Sequence, residues 1–264
     1  MATPNLLKRQ FNRDGYLVLK NVFTNKMSET IVSEANKLYN LPEVKGGYMK
    51  YFEKKTDTQT GTDTKILARM EYFINEEKLS ELKKIVDNEV TPILEEVLES
   101  RVALFKDKIN WKLPGGGAFK PHQDFEAWED LPPKYYVTCA IFVDECTVEN
   151  GCLEMVSEKH TEGVLENTNG CINKDVVDSM EWRPILGDSR DLVIFDAFVP
   201  HRSGPNLSNS PRRVYYFTYN LLKDGNYYED YFTKKRAEFP PDIERDENTQ
   251  LNLNSKYNLA NPIK

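Results

Sequence analysis

Apolar residues recur at helical spacing in the early part of the chain and at strand spacing in the later part. In 28–39, Ile31, Val32, Ala35, Leu38 and Tyr39 fall three and four apart, which predicts a helix with one buried stripe. A second helical region is predicted over 76–99, where Leu79, Leu82, Ile85, Val86, Val90, Ile93, Leu94, Val97 and Leu98 share one side. Pro92 should divide it, because its ring removes a backbone donor and crowds the turn before it. Tyr16-Leu17-Val18-Leu19, after the turn pair Asp14-Gly15, reads as a strand. From Leu104 onward come short β-branched and aromatic runs at 104–111, 135–143, 152–156, 192–195 and 213–221, separated by Pro, Gly and Asn. Helices followed by many short strands predict one domain over 1–264. It should be mainly β, a barrel or two-sheet sandwich with helices packed outside. Segment 45–65, rich in Gly, Thr, Lys and Asp, has no periodicity and is expected to be a loop, either a lid or plain surface.

Composition narrows the function classes. With 264 residues the chain can bury a large core. A net charge of -7 and a pI near 5.2, with no Lys/Arg cluster interleaved with aromatics, argue against a nucleic-acid partner and for a small-molecule substrate. The apolar run 137–143 is too short to cross a bilayer, and the first residues lack a signal-peptide core, so no membrane partner and a cytoplasmic location are expected. Monomer and homodimer both stay open. Cys139, Cys146, Cys152 and Cys171 have neither CxxC spacing nor a histidine at zinc-finger distance, and are expected to be buried free thiols.

The chemistry concentrates after position 110. Of three histidines, His122 stands in His122-Gln123-Asp124, where residues i and i+2 of an extended segment point the same way. Imidazole and carboxylate could therefore share a metal, with His201 as a third ligand from across the strand-rich region. Two imidazoles and a carboxylate leave positions open on a non-haem Fe(II) centre. Pro114-Gly115-Gly116-Gly117 before the pair and the turn 200–205 around His201 set both histidines at strand ends. His160 lacks a carboxylate at ligand spacing and is expected to be structural or at the surface. Arg212 and Arg213 open an apolar strand, so alternation turns one of them inward, where a guanidinium could grip a carboxylate through two parallel hydrogen bonds.

These segments together resemble a known family. His122-Gln123-Asp124, Glu149-Asn150-Gly151-Cys152-Leu153, Gly187-Asp188 with Val193-Ile194-Phe195, His201-Arg202-Ser203-Gly204-Pro205-Asn206 and Arg212 are similar to the phytanoyl-CoA dioxygenase family of Fe(II)- and 2-oxoglutarate-dependent oxygenases. The likeness spans about 14–242. It departs from the family pattern at Ser157-Glu158-Lys159-His160. It implies a double-stranded β-helix, or jelly roll, of cupin-like form, with His122, Asp124 and His201 on iron. It also implies that Arg212 holds the distal carboxylate of 2-oxoglutarate with Ser203 in support, and that Thr138 and Asn110 touch this cosubstrate.

The resemblance implies a reaction that consumes dioxygen, takes a hydrogen atom from the substrate, and releases succinate and carbon dioxide. Either hydroxylation or an oxidative cyclisation of the kainoid type would fit. Arg69, Tyr72, Trp128, Arg183 and Arg202 are expected around the substrate, and cations beside aromatics suit a small anion such as an amino acid, phosphonate or polycarboxylate. Tyr219-Asn220, Gly225, Tyr227-Tyr228 and Phe239-Pro240-Pro241-Asp242 resemble a subgroup acting on small polar metabolites such as aminophosphonates. The alternatives are an inactive jelly-roll binding protein, a phytanoyl-CoA-like acyl-CoA hydroxylase and a cupin-like enzyme without 2-oxoglutarate. Asp124 argues against a halogenase, in which a small residue makes room for halide.

Overall fold

The computed structural model describes residues 6–56, 63–246 and 255–260. The strands, in chain order, are β1 (Tyr16–Leu19), β2 (Met49–Thr56), β3 (Asp63–Glu71), β4 (Val102–Lys112), β5 (Phe119–His122), β6 (Tyr136–Phe142) and β7 (Leu153–Met155). They continue as β8 (Asn167–Thr168), β9 (Cys171–Ile172), β10 (Arg183–Ile185), β11 (Leu192–Asp196), β12 (His201–Ser203) and β13 (Arg212–Leu221). The helices are α1 (Leu6–Asp14), α2 (Asn25–Asn40), α3 (Ser80–Ile85), α4 (Thr91–Leu98), α5 (Lys174–Asp178) and α6 (Tyr228–Glu238).

Seven strands form a large sheet in the order β1-β11-β6-β13-β4-β3-β2, and four form a smaller one, β10-β7-β12-β5, with every pairing antiparallel. This is the expected jelly-roll arrangement. Alternation along the strands divides the core. Ala140, Phe142, Val193, Phe195 and Val214 of the large sheet meet Leu153, Met155 and Ile185 of the small one between the sheets. The intervening residues Cys139, Ile141, Ile194, Tyr215 and Phe217 face outward, into the cluster that holds Ile31, Ala35 and Leu38 of α2 and Leu82, Ile85 and Leu94 of α3 and α4. Each large aliphatic buried there stabilises the fold by ~1.5–3 kcal/mol. The helical layer thus shields one face of the large sheet and leaves the space between the sheets for chemistry. All four cysteines are free and three are buried. Among the described residues no helix is long and apolar enough to cross a membrane.

Three expectations are corrected. Segment 45–65 is largely a hairpin, not a loop: β2 pairs with β3 from Met49↔Glu71 to Thr56↔Asp63, with a register shift at Tyr51/Phe52. Its period was hidden because consecutive residues Tyr48, Met49, Lys50 and Tyr51 are all buried, so apolar and polar positions do not alternate. The segment between the two strands lies outside the described residues, and with it the question of a lid. Pro92 does not split its helix; the chain widens into a π turn at Val86–Val90 and continues as α4, with Thr91 Oγ1 donating to the Val86 carbonyl at 3.1 Å. The wider turn accommodates the missing donor and the ring. Tyr39, expected on the buried stripe of α2, is 43% exposed, while Glu34 is buried and paired with Lys37 at 2.6 Å.

Candidate active site

β5 and β12 are antiparallel neighbours, and their paired residues are His122 and His201. Opposed residues project to one face of a sheet, and the two rings lie 4.1 Å apart, centroid to centroid. Strand β5 stops at His122; Gln123 is extended, and Asp124 opens a short 3-10 turn on the same side. Gln123 points the other way and clamps this corner. Its amide nitrogen donates to the carbonyls of Gly163 at 2.9 Å and Phe198 at 2.7 Å, and its oxygen accepts from Leu165 N at 2.7 Å.

Each histidine uses Nδ1 on a backbone carbonyl, His122 on Lys120 O at 2.8 Å and His201 on Val199 O at 3.0 Å. Nδ1 therefore carries the proton and Nε2 keeps its lone pair. The two Nε2 atoms stand 3.8 and 3.9 Å from Asp124 Oδ1, and one ligand atom from each of the three residues lies within 4.8 Å of the others. Burial, joined by the neighbouring His201, pushes the His122 imidazole down to about 3. Burial also raises the Asp124 carboxyl, but the neighbouring His201 ring and the lysines Lys108 and Lys106 outweigh that and hold it below its ordinary value. A neutral imidazole pair with an ionised carboxylate is the protonation state a divalent ion requires.

Arg212 begins β13 opposite Lys112 of β4. It is 1% exposed; Nη2 reaches Ser203 Oγ at 3.5 Å, and Nε and Nη1 have no hydrogen-bond partner. An unanswered buried guanidinium fits an anionic group that has still to bind. Arg213 faces out, where its Nε and Nη2 grip Asp144 at 2.8 and 2.7 Å and Nη1 reaches Asn36. Alternation thus separates the two arginines as expected.

A small cavity of about 30 Å³ opens over the triad, lined among others by Asn110, Thr138, Ser203, Trp128 and Arg202. Thr138 and Thr218 join across β6 and β13 through their hydroxyls at 2.9 Å. Arg202 is held at the edge by Glu154 at 2.8 Å and lies over the Trp182 ring. Arg69, Tyr72 and Arg183 are not lining residues, which corrects their expected place. Arg69 stacks on Tyr51 and pairs with Glu71 at 3.1 Å, Tyr72 donates to Glu229 at 2.8 Å, and exposed Arg183 stands 3.6 Å from Glu181. Each of the three sits beside a carboxylate instead.

Three residues that sequence reasoning missed are lysines of β4. Lys106 and Lys108 line the cavity. Lys112 lies beside Arg212 and donates to Ser203 Oγ at 2.7 Å and to Gly204 O. Burial, then the Arg212 charge, lowers the Lys112 ammonium to about 6, while burial and Lys106 lower Lys108 to about 7. The available signal was the two-residue step of Lys106, Lys108, Asn110 and Lys112, whose intervening residues are Asp107, Ile109 and Trp111.

Gly151 lies at positive φ where a Cβ would stand 2.4 Å from Gly204 O, so only glycine lets this turn approach the strand carrying Ser203. Asn150 braces the turn by accepting from Thr147 N at 2.9 Å. His160 is outside the triad and packs against the Gly15 turn.

A sequence profile described as phytanoyl-CoA dioxygenase matches residues 11–214. The chain is 37% identical over 260 residues to a 2-aminoethylphosphonate dioxygenase of an uncultured bacterium (HF130_AEPn_1), covering 97% of each chain. It is 32% identical to a methylphosphonate hydroxylase of Gimesia maris, over 87% of this chain and 85% of that one. Among solved structures, EctD from S. alaskensis with 2-oxoglutarate and 5-hydroxyectoine has the same fold, with a TM-score of 0.68, 20% identity, and coverage of 85% and 80%.

Proposed function

The chain belongs to the phytanoyl-CoA dioxygenase family of Fe(II)- and 2-oxoglutarate-dependent oxygenases, and from that premise we propose that it hydroxylates a small phosphonate at the carbon bonded to phosphorus. The observation that carries this reading is a His-Asp-His donor set with both Nε2 lone pairs turned inward, combined with a buried guanidinium whose Nε and Nη1 lack partners. His122, Asp124 and His201 would hold Fe(II). Arg212 and Ser203 would take the distal carboxylate of 2-oxoglutarate, with Asn110 and Thr138 along its flank. Bound together, iron and 2-oxoglutarate would supply, with dioxygen, the oxidising power for hydroxylating the substrate, with succinate and carbon dioxide as co-products.

The chain's own work is positioning. The two carbonyl hydrogen bonds fix the imidazole planes. Phe119, Leu153 and Tyr216 narrow the cavity and limit water near the reacting carbon. Similarity to two relatives named for phosphonate oxidation supports the substrate class. Methylphosphonate has a single carbon, so an enzyme that hydroxylates it must act next to phosphorus. This favours hydroxylation over ring closure, and a cavity of only about 30 Å³ suits a small anion better than an acyl-CoA.

The test is dioxygen uptake by purified protein with Fe(II) and 2-oxoglutarate against methylphosphonate, 2-aminoethylphosphonate, glutamate and an acyl-CoA. Uptake should rise with a phosphonate. A response confined to glutamate or the acyl-CoA would refute the assignment.

A further inference from the structure

Strand β4 turns Lys106, Lys108, Asn110 and Lys112 toward the interior at every second residue. Lys112 is engaged with Ser203 at the Arg212 end. Lys106 and Lys108 are different: they line the cavity, yet neither ammonium has an ion-pair partner among the described residues. They rest against rings instead. Lys106 Nζ stands 5.4 Å from the centre of the Trp128 ring and Lys108 Nζ 4.7 Å from that of Tyr216. Trp128 lines the same cavity, is 1% exposed, and its indole Nε1 has no hydrogen-bond partner.

Trp128 Nε1 and the two ammonium groups all donate and none accepts. The other charges of the cavity wall are already committed: Asp124 belongs to the triad, and Arg202 is held by Glu154. Two amino groups without an ion-pair partner among the described residues, in the cavity wall of a chain of net charge -7, favour an anionic ligand. The donor types select among anions. An ammonium is a compact charge with rotatable donors, which suits the three oxygens of a tetrahedral group, whereas a planar carboxylate is matched by the fork of an arginine. Lys108 lies four residues from Lys112 along β4, about 13 Å at ~3.3 Å per residue, so this cluster is separate from the Arg212 end.

We propose that Lys106, Lys108 and the Trp128 indole N–H form the oxyanion subsite of the substrate, selecting a phosphonate dianion and setting its adjoining carbon beside the triad. This rests on the phosphonate reading above and assigns the residues that enforce it.

The test is calorimetric titration of the anaerobic Fe(II)- and 2-oxoglutarate-loaded protein with methylphosphonate and, separately, inorganic phosphate. It compares wild type with Lys106→Gln, Lys108→Gln, Lys108→Arg and Trp128→Phe. Each glutamine variant should raise both Kd values roughly 10- to 100-fold, Trp128→Phe by less, and Lys108→Arg should recover part of the loss. The Kd for 2-oxoglutarate should stay within about twofold, showing that the fold and the Arg212 end are intact. The subsite is overturned if both glutamine variants bind methylphosphonate and phosphate as wild type does. It is equally overturned if 2-oxoglutarate affinity falls in proportion. Failure of the parent reading has its own signature: wild type binds phosphate through these lysines yet oxidises no phosphonate.

Discussion

Replacing Arg212 with methionine should make the ligand-free protein more stable and nearly abolish its affinity for 2-oxoglutarate. The side chain is 1% exposed, with Nε and Nη1 unpartnered and Nη2 at 3.5 Å from Ser203 Oγ. An uncompensated buried guanidinium costs free energy, and an apolar chain of similar length removes that cost, for a gain of ~1–3 kcal/mol. The same substitution removes a desolvated two-pronged carboxylate contact worth ~3–5 kcal/mol, which is roughly 10²–10⁴-fold in Kd. Saturating wild type with 2-oxoglutarate at 100 times its Kd adds about 2.7 kcal/mol by mass action, and the variant should gain almost nothing. The stability gap between the two proteins therefore closes or reverses when cosubstrate is added. Thermal melts with and without 2-oxoglutarate, together with an anaerobic titration of the Fe(II) protein, read both effects. Arg213→Met supplies the contrast: it breaks the outward clamp on Asp144, so it should lose stability and keep 2-oxoglutarate affinity. The reasoning is refuted if Arg212→Met binds 2-oxoglutarate within threefold of wild type, or if Arg213→Met is the variant that loses binding.

Asp107 accepts Phe73 N at 2.7 Å, Ile74 N at 3.0 Å and the Tyr228 hydroxyl at 2.7 Å, and burial raises its carboxyl from 3.8 to about 6. Because the folded value is raised, the native state holds the extra proton between about pH 4 and 6, and this group's contribution to stability falls as pH rises through that window, by up to about 3 kcal/mol. Urea titrations of Asp107→Asn should lose this slope while Asp107→Ala loses roughly 2–5 kcal/mol at all pH values; an unchanged slope in Asp107→Asn contradicts the assignment. Gln123→Leu leaves Leu165 N and two carbonyls without their partners, so it should cost ~2–4 kcal/mol in a chemical melt and weaken Fe(II) binding about tenfold. Wild-type iron affinity in that variant would show that the clamp does not position the triad. Metal analysis after Fe(II) loading should find His201→Ala empty and His160→Ala full, and the reverse result would move the centre.

The metal site was legible because its determinants are short in sequence or set by strand parity. His122 and Asp124 share a face through the two-residue period, and the same period places Arg212 inside and Arg213 outside. That reasoning, applied to β4, also exposes Lys106 and Lys108, whose charges otherwise suggest a solvent edge. It fails where both faces of a strand are buried, as at the start of β2, so the hairpin at 45–65 resembled a loop. Parity puts Glu71 on the same face of β3 as Arg69, its partner, but could not say that Glu229 answers the Tyr72 hydroxyl, a contact that depends on how α6 meets the sheet. The π turn at Val86–Val90 was hidden for a related reason, since the proline rule describes a regular helix and not the wider turn that accommodates it.

The most direct measurement of the central claim is phosphorus NMR and succinate quantification on the same anaerobically prepared, oxygen-started mixture of protein, Fe(II), 2-oxoglutarate and methylphosphonate. The account predicts that the methylphosphonate resonance converts to that of a hydroxymethyl product in step with succinate, and that Asp124→Ala does neither. Succinate formed at the same rate with or without methylphosphonate, and an unchanged phosphorus spectrum, would contradict it.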